Sequence, residues 1–298
     1  MMPHTANMKR SHSSSSISST LSAEETPGEG TPSSQYFTPP ASPPPENDEN
    51  YLTFSDASIT NNQFCYITHV TGNEAYMKDY CLDMALKILA HNTECSASQI
   101  SIASTFESQI FYFAASDRSG YEEYLNLFKN AKWIFIPIND GMAGKANTEI
   151  QGAHWSLLAL LRVSKTAHYF DSWFINSPDY HQLAEIVFRG IANVLDEDVE
   201  QWMAKVEYNS PNQTRHNLCK EDAWTSCGPF VFTMVKYLVS TIQWAQRGGV
   251  EGQHTLDLAD DFPRLWGADW SSLATRLEMQ DIIAQMKEEL TDSEAPAP

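Results

Sequence analysis

Three apolar stretches lying close together constrain this chain more than any other feature of it. Trp133-Ile134-Phe135-Ile136-Pro137-Ile138 is bounded by Asn139-Asp140-Gly141, the pattern of a buried strand running out into a loop. Residues 154–163 and 166–172 read as two further strands, and Lys165-Thr166 between them reads as a hairpin turn. The open end of a hairpin joins positions far apart in sequence, so His154 and Asp171 are expected within hydrogen-bonding reach of each other.

Helical patterns surround these strands. Residues 77–90 follow Asn73-Glu74 and carry Tyr80, Leu82, Met84, Ala85, Leu86, Ile88 and Leu89, which predicts a largely buried helix. Ser177-Pro178 is an N-cap and first-turn pair for a helix running to about Leu195, and residues 202–208 contain another strand. Cys227 opens a helix through about Ala245. A last helix over 271–290 repeats Leu273, Leu277, Ile282, Ile283, Met286 and Leu290 and is expected to pack on the body. The class is α+β: a central mixed sheet with helices on both sides.

The first fifty residues do not belong to that body. They are rich in Ser, Pro, Thr and Gly with few apolar side chains, and such a segment cannot bury enough surface to offset its chain entropy. Residues 1–50 are therefore expected to be a disordered tail and 51–290 one domain. The formal charge is −19, of which the tail contributes little, with Lys9 and Arg10 against Glu24, Glu25, Glu29, Glu46, Asp48 and Glu49. An acidic surface repels phosphate backbones and anionic lipid and steers basic partners toward it, which argues against nucleic acid and membrane as partners.

Five widely spaced cysteines give no disulfide framework, and the N-terminus has no secretory apolar region. No run approaches the ~20 apolar residues of a membrane span. A reducing compartment, cytoplasm or nucleus, is the expectation. His216 and Cys219 have a three-residue interval but no second pair, so no metal site is expected.

The chemistry centres on Cys227 in Thr225-Ser226-Cys227-Gly228-Pro229. A helix start offers unpaired N–H groups and a partial positive charge, which favour an anion such as a thiolate. With His154 as base and Asp171 to fix its tautomer, the chain holds the parts of a cysteine hydrolase. No cofactor is needed for that reaction.

The residues that carry this reading resemble a family. The segments Ile134-Phe135-Ile136-Pro137-Ile138-Asn139-Asp140, Gly152-Ala153-His154-Trp155-Ser156-Leu157-Leu158, His168-Tyr169-Phe170-Asp171-Ser172 and Ser226-Cys227-Gly228 are similar, in order and spacing, to the ubiquitin-like-protein (sentrin-specific) proteases, and most to the deneddylases among them. The resemblance implies a papain-like cysteine protease fold, with His154 as catalytic base, Asp171 as its orienting acid and Cys227 as nucleophile. It implies that Trp155 closes a narrow tunnel over a Gly-Gly tail, with Tyr76 forming the other wall. A flat lid of this kind admits glycine and excludes any Cβ.

The implied function is cleavage after the C-terminal Gly-Gly of a ubiquitin-like modifier of the Nedd/Rub type, from a precursor or from lysine of a target protein, by a monomer. A SUMO or ubiquitin protease of the same mechanism, or a degenerate module that binds a modifier without cutting it, are the alternatives. Three positions depart from the family pattern. Tyr76 stands in place of Trp, Ser226 in place of the Asp before the nucleophile, and Glu221 where a Gln supplies the oxyanion donor. A carboxylate there would repel an oxyanion. Residues 206–213 also resemble the run into that Gln, which makes Gln213 the favoured donor, residues 214–221 an insertion, and Glu221 the alternative.

Overall fold

The structure, a computed structural model, describes residues 45, 47–72, 75–117, 119–143, 152–173, 178–207, 210, 212–249 and 270–294. Most of the expected tail lies outside the described residues. Asn47, Asp48 and Glu49 are inside them and are tied to the first helix: Asn61 donates from its backbone to Glu49 O and from its side chain to Asn47 Oδ1, and Asn62 Nδ2 donates to Asp48 Oδ1.

In chain order the elements are β1 (Asn50–Phe54), β2 (Ala57–Thr60), α1 (Asn61–Tyr66), α2 (Asp79–Asn92), β3 (Ile100–Ile102), α3 (Thr105–Ala114), α4 (Leu125–Phe128), β4 (Trp133–Asn139), β5 (Trp155–Leu161), β6 (Thr166–Phe170), α5 (Pro178–Val194), β7 (Met203–Val206), α6 (Cys227–Arg247) and α7 (Ser272–Glu294). β1 and β2 form a separate antiparallel hairpin. The other five strands make one sheet in the order β3-β4-β5-β6-β7. Its outer pairs, β3 with β4 and β6 with β7, are parallel, and its central pairs are antiparallel. The sheet is therefore mixed, as expected.

Both faces of the central strands are covered, which is why they read as continuous apolar runs rather than as alternating patterns. On β5, Leu157, Ala159 and Leu161 join a core shared with α2, α6 and α7. Leu158 and Leu160 point the other way, into a core shared with α3 and α5. The β5–β6 hairpin turns through Arg162–Lys165, with Lys165 left-handed at φ 53°. On the second face α3 packs against α5 so closely that a Cβ at Gly190 would sit 1.6 Å from the Phe111 carbonyl oxygen.

The helices and strands predicted from periodicity are present with ends shifted by a few residues, among the described residues. The β1–β2 hairpin, α1, β3, α3 and α4 were not anticipated. They are short, between three and ten residues. Elements of this size draw their stability from packing rather than from pattern. A local signal did exist for α3: Ser104 and Glu107 form a reciprocal capping box, and Ser-x-x-Glu is readable in sequence.

Candidate active site

His154 directly precedes β5, and Asp171 directly follows β6. The antiparallel register sets Leu157 against Phe170, so the two residues meet at the open end of the hairpin. His154 Nε2 lies 2.8 Å from Asp171 Oδ1. The carboxylate is itself held: Oδ1 accepts the Trp173 N–H at 2.8 Å, and Oδ2 accepts the Tyr169 hydroxyl at 3.1 Å. The backbone of the histidine is fixed by Asp140, whose Oδ1 accepts the N–H groups of Ala153 and His154 at 2.8 and 3.0 Å.

Cys227 is the first residue of α6. Its thiol hydrogen-bonds the His154 imidazole, and its Sγ lies 3.8 Å from the Ala153 carbonyl oxygen. With Nε2 committed to Asp171, Nδ1 is the ring nitrogen left for sulfur. Burial works against a charged imidazole, but the bonds and charges of Asp171 and Cys227 outweigh it and raise the His154 pKa to about 10. Burial likewise opposes ionisation of Asp171, and the bond to His154 together with those from Trp173 and Tyr169 holds it below the ordinary carboxylate value. The arrangement is a buried histidine whose charged form is favoured, set against a carboxylate held in its ionised form.

Cys227 is 1 % exposed and His154 7 %. Met77 and Trp155 crowd the residue after Cys227: a Cβ at Gly228 would lie 2.3 Å from Met77 Cβ and 3.6 Å from Trp155 Cδ1. Met77 and Trp155 thus cover Gly228, next to the sulfur. Trp155 is buried and donates its indole N–H to the Met77 carbonyl at 2.8 Å. Tyr76, half-buried, precedes Met77.

The two candidate oxyanion donors fall in different environments. Gln213 is fully buried beside the site: its N–H donates to Ser172 O, its Oε1 accepts the Ser172 hydroxyl at 2.6 Å, and its Nε2 donates to Ala223 O at 3.2 Å. An amide nitrogen has two hydrogens, so one remains beyond the bond to Ala223. Glu221 is exposed and accepts the Cys219 thiol at 3.6 Å. The carboxylate that motivated a non-catalytic reading thus stands at the surface.

Residues 75–246, more than half of the chain, match the model of the Ulp1 protease family, C-terminal catalytic domain. The chain belongs to the Ulp1 protease family. As such it is a cysteine peptidase acting on ubiquitin-like modifiers. No curated protein is significantly similar to it in sequence. Among solved structures it is similar to the SUMO protease Ulp1 with its catalytic cysteine oxidised to a sulfenic acid, at 17 % identity and a TM-score of 0.51, over 82 % of this chain and 89 % of that one. It is also similar to the C-terminal Ulp1 protease domain in complex with Smt3, the yeast ortholog of SUMO, at 16 % identity and a TM-score of 0.50, over 82 % and 88 % of the two chains. At such identities the likeness speaks to the fold.

Within this Ulp1-family site, sequence reasoning missed several residues. Asp140 was noted only as part of a motif, although an Asp just after a strand and ahead of Gly141 is a common backbone acceptor. Tyr169 and Trp173 flank Asp171 in sequence and were not assigned a role. Trp173 also lies 6.3 Å from the His154 ring and 4.9 Å from that of Trp224, which is exposed. Among the described residues no group of three or more His, Cys, Asp or Glu is placed to hold a metal ion.

Proposed function

We propose that this Ulp1-family chain cleaves the bond after the terminal Gly-Gly of a ubiquitin-like modifier of the SUMO type, with Cys227 as nucleophile, His154 as base and acid, and Asp171 as the group that orients the imidazole. The observation that carries this reading is the His154 ring clasped between Asp171 Oδ1 and the Cys227 thiol. Cys227 sulfur attacks the glycine carbonyl, and the developing oxyanion takes an N–H from Gln213. His154 then gives its proton to the leaving amine, and water activated by the same imidazole hydrolyses the thioester. Trp155 and Tyr76 line the passage for the two glycines, where a Cβ would meet aromatic carbon.

The SUMO assignment is supported by the SUMO proteases among the structures of similar fold. A Nedd/Rub modifier is the second reading, favoured by the segments Ile138-Asn139-Asp140 and Gly152-Ala153-His154-Trp155. Initial rates on SUMO, Nedd/Rub and ubiquitin fluorophore conjugates separate them. Preferred cleavage of SUMO is the expected result; preference for Nedd/Rub transfers the assignment to the second reading, and absence of cleavage of all three sinks both.

A further inference from the structure

The buried ion pair near the nucleophile joins Asp222, inside the family match, to Arg276, beyond its end at residue 246. Arg276, the fifth residue of α7, is fully buried, as is Asp222, five residues before Cys227. Their contact is a two-point fork: Arg276 Nε donates to Asp222 Oδ2 at 2.8 Å, and Nη2 donates to Oδ1 at 3.1 Å. The same Asp222 accepts the Thr225 hydroxyl. Three carbonyls also face the guanidinium: Thr225 O at 3.2 Å and Ala75 O at 2.5 Å from Nη2, and Ile67 O at 3.0 Å from Nη1.

These acceptors are not scattered. Thr225 lies two residues before the sulfur. Ala75 leads into Tyr76 and Met77, whose carbonyl holds the Trp155 indole. One planar cation thus joins the loop that presents Cys227 to the segment that covers the residue after it. The start of α7 is fastened to the same loop, since Asn217 Nδ2 donates to the Ser272 hydroxyl at 2.8 Å and Asn217 Oδ1 accepts the Ser272 N–H at 3.0 Å. Leu218 N–H donates to Trp270 O, and the Trp270 ring meets Phe230 of α6 edge-on.

We infer that Arg276 is a positioning residue for the reaction: through Asp222, Thr225 and Ala75 it sets the nucleophile loop and the Met77–Trp155 cover in one register, so that α7 completes the active site. This rests on Cys227 being the nucleophile. A lysine offers a point charge without the fork and cannot serve four acceptors in different directions. Apolar residues of similar volume at both positions remove the pair without leaving a lone buried charge, and such replacements commonly preserve stability. The two kinds of variant therefore separate holding the fold from setting the geometry.

The experiment uses the full chain as wild type, Arg276→Lys and the double variant Asp222→Leu/Arg276→Met. Three readouts are taken: thermal midpoint, kcat and KM on a cleaved modifier conjugate, and the pH profile of Cys227 alkylation by iodoacetamide, followed at peptide level by mass spectrometry. For the double variant a near-native midpoint, a kcat lower by about 100-fold, KM within about threefold and an alkylation profile displaced from wild type are expected, because a displacement of about 1 Å in reacting groups is worth that much. Arg276→Lys should fall between the two.

A double variant with a native midpoint and kcat within about threefold of wild type overturns the inference. So does a loss of kcat with an unmoved alkylation profile, and so does wholesale unfolding of both variants, which would make the pair structural only. If the wild type cleaves no modifier, the functional reading fails, yet the alkylation profiles, which need no modifier, still decide the positioning role.

Discussion

Asp140 and His154 hold each other by their backbones: the Asp140 carboxylate accepts the His154 N–H at 3.0 Å, and the Asp140 N–H donates to the His154 carbonyl at 3.1 Å. The reciprocal pair extends the β4–β5 ladder by one position and locks the main chain of the residue whose ring must face sulfur. It fixes where the imidazole starts.

Gly152 is the residue that lets this happen. A Cβ there would lie 1.7 Å from Asn139 Oδ1 and 2.3 Å from Asp140 Oδ1. Gly152→Ala must therefore displace the carboxylate from the Ala153 and His154 N–H groups. A fall in kcat of about 100-fold is expected from the misplaced ring. Steady-state rates at unchanged substrate affinity provide the check, and an unaltered kcat would count against the role given to Asp140.

Removal of the sulfur should abolish cleavage with little effect on the fold. Cys227→Ala and His154→Ala are each expected to lower kcat by about 10⁴-fold or more, and the double variant should be hardly worse than either alone, as for groups that act as a unit. Additive losses would indicate that the two side chains work separately.

The charged His154–Asp171 pair makes a definite pH signature. Folded His154 keeps its proton up to about 10 against 6.5 for a free imidazole, so its contribution to stability is fully present below 6.5 and is lost as pH rises toward about 10. Asp171 is shifted the other way, so its contribution is present above 3.8 and is lost as pH falls through its lower folded value. The difference in thermal midpoint between wild type and Asp171→Asn should thus be largest between 3.8 and 6.5 and shrink on the alkaline side. A difference that grows toward about 10 would contradict the assignment of an imidazolium.

Gln213 and Glu221 are separated by substitution. Gln213→Ala should reduce kcat by about 10²–10³-fold, the usual cost of one oxyanion donor, whereas Glu221→Ala at the surface should leave it nearly unchanged. The reverse ranking would return Glu221 to the site.

Much of this architecture was legible in the chain before any coordinates. Stretches at 133–138, 154–163 and 166–172 mark β4, β5 and β6, because strands covered on both faces are apolar at most positions. The hairpin between the last two was enough to bring His154 to Asp171, since antiparallel pairing and a short turn leave one register. The helix beginning at Cys227 was visible from its composition. The short elements were not, because periodicity needs more residues than β3 or α4 possess.

What the sequence determined by itself, then, is local: the central strands, the long helices, and the order of histidine, aspartate and cysteine along them. Tertiary structure decided which loop groups lie beside that trio. Gln213 is buried and Glu221 exposed because the chain between Gln213 and Cys227 turns the amide inward against Ser172 and the carboxylate out. Arg276 meets Asp222 from 54 residues away, and Trp155 meets the Met77 carbonyl from 78. Bonds across such distances depend on how separate segments converge once the core is packed. No pattern along either segment encodes the other's position.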